Sequence, residues 1–213
     1  MNFEEYLIRL DELNRGMERV FKQRFPNLPH HVSKEILVNR ISPRLGQTID
    51  KLTATSDSKA DFLSPTISMD DDTTIQTLDD IVRDPSLGRM INADWTQKPV
   101  LITVNPNSFS DQDKIKFMFF KFGMNPSSRV KSDASRWEIQ MSKVRERGEN
   151  NEPIVVLYDG GIFHMQEGWH RLMSYLASVA PQDQLDYLKN NQRDKVDFSL
   201  WPSVKLRAYV GKI

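Results

Sequence analysis

The chain has 213 residues, 38 % hydrophobic and 27 % charged, with basic and acidic side chains in equal number at 29 each; these values suit a globular protein of one large or two small domains. It contains no cysteine, which excludes a disulfide framework, a thiolate nucleophile and any Cys-ligated zinc or iron–sulfur site. No apolar run approaches the roughly 20 residues that span a bilayer, and Glu4 and Glu5 stand where a signal peptide would be basic, so a cytoplasmic protein without a membrane partner is expected. Charge is slightly uneven along the chain. Before position 96 there are 12 basic and 16 acidic residues, and after it 17 and 13. That permits an anionic ligand on the C-terminal half without requiring one.

Phe3, Tyr6, Leu7, Leu10, Leu13, Met17, Val20 and Phe21 recur at three- and four-residue steps, which predicts an amphipathic helix stopped by Pro26 and Pro29. A second helix is expected after Ser33 as N-cap, through Ile36, Leu37 and Ile41. A third is expected after Ser42-Pro43. From about residue 53 to 74 Ser, Thr and Asp dominate, periodicity is lost, and a long loop is predicted. Its Asp70-Asp71-Asp72 run lacks the spaced ligands of a calcium loop and reads as a solvated acidic segment. A short helix from Ile75 to Val82 is expected to stop before Pro85 and Gly88. Residues 1–95 are thus predicted as a helical N-terminal region. Its helices offer a surface for a partner or a second copy of the chain.

Beyond it the rhythm changes. Val100-Leu101-Ile102-Thr103-Val104 reads as a short buried strand ended by Asn105-Pro106. Residues 111–122 are expected to form a helix with Ile115, Met118, Phe119 and Phe122 on one face and Gly123 as C-cap. A helix over 135–147 follows, closed by Gly148. Pro153–Tyr158 and Ile162–Gln166, joined by Asp159-Gly160-Gly161, carry a strong hairpin signal. A helix over 168–180, a polar stretch and a last strand over 204–210 complete an α+β chain, with 96–213 as its small mixed-sheet domain.

The stretch richest in chemistry is Glu167-Gly168-Trp169-His170-Arg171, at the junction of a strand and a helix. Glycine can take backbone conformations barred to other residues and lets a ligand approach the main chain. The helix start supplies unpaired N–H groups and the positive end of a dipole. His170 and Arg171 add cationic or hydrogen-bonding groups, and a guanidinium matches phosphate with its planar fork. Taken singly, each residue also has a plain structural reading: a corner glycine, a half-buried histidine, an arginine paired with a surface acid. Converging at one turn, they point to a phosphate site, with the plain reading as its alternative.

The stretch from Glu138 to Ser178 resembles the core of the ParB/sulfiredoxin superfamily. The likeness is carried by the helix ending Arg147-Gly148, the Pro153-Ile154-Val155-Val156 strand, Phe163-His164-Met165-Gln166, and the turn Gly168-Trp169-His170-Arg171. Ile102-Thr103-Val104-Asn105-Pro106 is similar to the strand and Asn-Pro turn that open ParB domains. The resemblance covers about half the chain. It implies a ParB/sulfiredoxin-like fold and a nucleotide- or substrate-phosphate role for Gly168, Trp169, His170 and Arg171. By analogy with serine kinases of the superfamily, Glu167 and His170 become the catalytic candidates, with Glu167 as a base or magnesium ligand. Sulfiredoxins carry their catalytic cysteine where Trp169 stands here, so that reaction is excluded. Few residues follow the motif's helix, which argues against a ParB-type helix-turn-helix.

Other residues read less distinctly. Trp169 could stack on a base or cover the core. His164 alternates with Phe163 and Met165 and is exposed or lines a pocket. Glu138 and Glu152 lie near the nucleotide side by analogy. Arg129 and Lys131 form a small basic loop suited to nucleic-acid contacts. His30-His31 is a weak metal pair, because adjacent side chains rarely converge on one ion. Two functions of different class follow: a nucleotide-dependent phosphotransferase, phosphohydrolase or nucleic-acid-modifying enzyme using a nucleoside triphosphate and magnesium, or a non-catalytic nucleotide- or DNA-binding module. Nothing indicates haem, flavin or zinc. An interaction protein of phage or mobile-element type, with a vestigial site, is the third reading.

Overall fold

The computed structural model describes residues 15–41, 78–80, 82–119 and 152–213. By its contacts the chain divides into two compact units, Met1–Asn92 and Ala93–Ile213. Among the described residues no helix is long and apolar enough to cross a membrane. The expected third helix, the 53–74 loop, the helix over 135–147, and Glu138, Arg129 and Lys131 lie outside the described residues.

In the first unit, residues 15–24 are helical (α1) and bury Met17, Val20 and Phe21, the described part of the apolar stripe that periodicity predicts. The next helix starts earlier than expected. It runs His30–Ile36 (α2) from Pro29 at the cap position, and Ser33 is buried within it rather than capping it. Proline before the first turn costs nothing there, since its missing N–H would have no intrahelical partner. Leu37–Ile41 continue as one π-helical turn, with Ile36 and Ile41 fully buried. A helix over Pro85–Asn92 (α3) occupies a stretch predicted to be a stop. Asp84 caps it, its Oδ1 accepting the Ser86 N–H at 2.9 Å, and Pro85 sits in the first turn, where that residue is favoured.

The second unit is built on a five-stranded mixed sheet: β1 Asp94–Trp95, β2 Val100–Val104, β3 Ile154–Asp159, β4 Ile162–Glu167 and β5 Val204–Lys212. β5 is central. It pairs antiparallel with β1 and β2 on one side and parallel with β3 on the other, and β4 follows β3 as an antiparallel hairpin. Because β1 pairs with the end of β5, Ala93, Asp94 and Trp95 go with this unit, three residues before the expected boundary. The described residues are therefore α+β, a helical N-terminal region followed by a small mixed sheet.

Alternation along β5 sends Val204, Leu206, Ala208 and Val210 to the core. They pack with Ile154 and Val156 of β3 and with Leu172, Met173 and Leu176 of the helix Trp169–Val179 (α5). The helix Asp111–Phe119 (α4) adds Phe117, and Gln182–Lys189 (α6) adds Leu188. The hairpin turn forms as its Asp-Gly signal predicts, with positive φ at Gly160 and Gly161.

β2 is not a buried strand: Leu101 is 66 % exposed and only Val104 is fully covered. Its five β-favouring residues serve an outer lane beside β5. In α4 the buried side chains are Asp113 and Phe117, whereas Ile115 and Phe119 are exposed. The helix turns toward the core the face that carries a carboxylate, and the reason lies in what that carboxylate holds.

Candidate phosphate-binding site

Gly168 links β4 to α5 in the left-handed region, φ 96°, ψ 26°, and no side chain caps the helix. A Cβ at this position would stand 2.6 Å from Ile154 Cγ2 and 3.0 Å from Arg171 Nη2. Backbone sign and steric closeness both demand glycine. The result is an eleven-residue helix whose first N–H groups sit at the positive end of its dipole.

Arg171 lies one turn in, its side chain 12 % exposed. Its Nη1 donates to Glu152 Oε2 at 2.9 Å and its Nη2 to Glu167 Oε2, while its Nε is buried with no hydrogen-bond partner. The guanidinium is thus shared by two carboxylates, one from the last residue of β4 and one from just before β3. Glu167 reaches it across the i, i+4 spacing. Glu152 reaches it because β3 and β4 pair Val155 with Glu167, next to a register shift. Of the two acids Glu152 is the more exposed, at 54 % against 27 % for Glu167.

His170 is half-buried, and its carbonyl accepts the Ser174 hydroxyl at 2.7 Å. Trp169 covers the core. Its ring meets Phe117 edge-on at 5.3 Å, and its π face receives Lys116 Nζ at 5.1 Å. His164 is half-buried on β4, opposite Leu157. His30 lines a cavity of about 510 Å³ in the first unit, with Met17, Lys22 and Ile41. Among the described residues no group of three metal-ligating side chains converges.

Sequence reasoning passed over Asp113. Only 3 % exposed, it accepts the Ser110 hydroxyl at 2.8 Å and the Met165 N–H at 2.9 Å. Ser110 Oγ in turn accepts the Asp113 N–H at 3.2 Å, and the Ser110 N–H donates to the Phe163 carbonyl at 3.0 Å. The start of α4 is therefore fastened to the outer edge of β4, three residues before the turn. Ser110-x-x-Asp113 at a helix start is a capping pattern, and that signal was present. The bond to Met165 spans 52 residues and leaves no local trace. The opening Asn105-Pro106 turn is also tied: Asn105 Oδ1 accepts the Ser108 N–H and Ser108 Oγ accepts the Asn105 N–H.

No family model, curated protein or solved structure matches this chain.

Proposed function

We propose that the chain is a ParB-like phosphate- and nucleotide-binding protein whose anion site is the Gly168 turn. The observation that carries the reading is the start of α5 behind a left-handed glycine, with Arg171 in its first turn. Backbone N–H groups in that setting receive anionic oxygens, and the dipole favours negative charge. The order hairpin, Gly168-Trp169-His170-Arg171, helix also follows the motif resemblance.

The carboxylates on Arg171 set the terms of binding. For the guanidinium to grip a phosphate, one acid must yield, and the exposed Glu152 is the one displaced. Its exposure makes the ion pair cheap to exchange. Glu167 remains on Nη2 and keeps the fork oriented. A dication beside that guanidinium would be repelled, so magnesium enters with the phosphates of the nucleotide rather than on Glu167. Phosphoryl transfer or hydrolysis in such a site would rest on positioning and charge stabilisation, with His170, two residues past the glycine, as a side-chain donor. The reading as a non-catalytic nucleotide or nucleic-acid module is favoured by one specific observation: Glu167, the acid adjoining the glycine, is spent on Arg171.

The test is a thermal-shift panel of nucleoside mono-, di- and triphosphates, with and without magnesium. Wild type is expected to gain several degrees with at least one nucleotide. Arg171→Ala should lose that gain, and Glu152→Gln should enlarge it because the competing charge is gone. A flat response for every nucleotide, or an equal response in all three proteins, rejects the phosphate reading. Turnover of the responding nucleotide separates enzyme from binding module.

A further inference from the structure

Beside the turn, Trp169 of α5, Lys116 and Phe119 of α4, and Arg193 of the 3-10 turn Arg193–Lys195 form a strip of alternating rings and cations. Trp169 opens it, with Lys116 Nζ 5.1 Å from its ring centroid. Lys116 and Phe119 are three residues apart on α4 and so share a face. The Arg193 guanidinium then lies over Phe119, its carbon 4.4 Å from the ring centroid. A separate pair lies two residues on in sequence, with Lys195 Nζ 5.7 Å from the Tyr187 ring centroid.

The strip is exposed where a ligand would need it. Phe119 is 59 % exposed, Lys116 and Lys195 are exposed, and Trp169 and Arg193 are half-buried. Arg193 is braced rather than loose. Its Nε donates to the Met118 carbonyl at 3.1 Å and its Nη2 to Asn191 Oδ1 at 2.9 Å, which holds the guanidinium over the ring. Of the nearby acids, Asp113 is buried with Oδ1 3.7 Å from Lys116, Asp111 is bound to Lys114 at 2.7 Å, and Asp194 is exposed between Arg193 and Lys195 in sequence.

Rings that any base can stack on, interleaved with cations that meet the backbone phosphates, make up the sequence-tolerant surface that single strands use. A base can also stack on a fixed guanidinium plane. A duplex offers neither, since its bases are stacked already. We infer that the strip of Trp169, Lys116, Phe119 and Arg193 carries a single-stranded nucleic acid outward from the Gly168 turn. One phosphate of the strand sits at that turn, so the inference rests on the phosphate reading above and names its substrate class.

The experiment is a fluorescence-anisotropy titration of the full chain with end-labelled twelve-nucleotide oligothymidylate and oligouridylate, at two salt concentrations, beside a duplex of equal length. Both single strands share the required chemistry, and their relative affinity tells DNA from RNA. Single strands should bind more tightly than duplex. Phe119→Ala should weaken them about tenfold through lost stacking while leaving any mononucleotide thermal shift unchanged. Lys116→Gln should lower the salt slope by about 0.7, as expected for one phosphate contact. Phe119 and Lys116 are exposed, so both variants should melt like wild type. Failure of both oligomers to bind, equal binding of duplex, or indifference to Phe119→Ala and Lys116→Gln would overturn the strip. If mononucleotides still respond at Arg171, the turn survives that failure. If single strands bind through Phe119 and Lys116 while Arg171→Ala has no effect, the strip stands and the turn reading falls.

Discussion

At Gly168 two independent demands meet: a φ of 96° and an Ile154 methyl 2.6 Å from any added Cβ. Either alone strains an L-residue, and the left-handed backbone by itself costs about 1–3 kcal/mol. Gly168→Ala should therefore destabilise the protein by at least about 2 kcal/mol in urea unfolding. A loss under 0.5 kcal/mol would mean the turn relaxes freely and its geometry is not fixed. Arg171 shows the opposite balance. Its acids reach solvent and can be rehydrated when the guanidinium is removed, so its replacement should be felt in ligand binding more than in melting. Gly168, His170 and Arg171 could be picked out by type and spacing alone. That Glu152 joins Glu167 on the guanidinium could not, because its approach depends on the register of β3 against β4.

The start of α4 and the outer edge of β4 act as one element. An edge strand exposes unpaired backbone groups, and here the Phe163 carbonyl and the Met165 N–H are taken by Ser110 and Asp113. Asp113→Ala would leave the Met165 donor buried and unpaired at a cost of about 1–3 kcal/mol. Faster hydrogen exchange at Met165 and a lower urea midpoint are expected; unchanged exchange there would show that the clamp is dispensable. The same clamp explains why the apolar period of α4 misleads. Asp113 and Phe117 are one turn apart and face inward, so Ile115 and Phe119 are left outside. Periodicity finds the stripe of apolar residues, but a carboxylate with three partners can outcompete it for the buried side. β2 misleads for a related reason. An unbroken apolar run signals burial on both faces, yet Leu101 faces water.

At the scale of the whole molecule, the second unit has its own sheet and its own core, from Val104 to Val210, and its size is that of an ordinary independent domain. Residues 93–213 expressed alone should unfold in one cooperative transition and keep any response at Arg171 seen in the full chain. A fragment with no transition would show that the core depends on residues before 93. What the amino-acid order determined by itself was local. The amphipathic stripe of α1, the Asp-Gly hairpin, the glycine that opens α5 and the α+β class are each written in neighbouring residues, where propensity and period act directly. Only the tertiary structure decided which face of α4 is buried, that β2 is an outer strand beside β5, that Arg171 is shared by two acids, and that Lys116, Phe119 and Arg193 line up beyond Trp169. Those outcomes are set by contacts between segments tens of residues apart, and such contacts are settled by competition for one core rather than by any local preference.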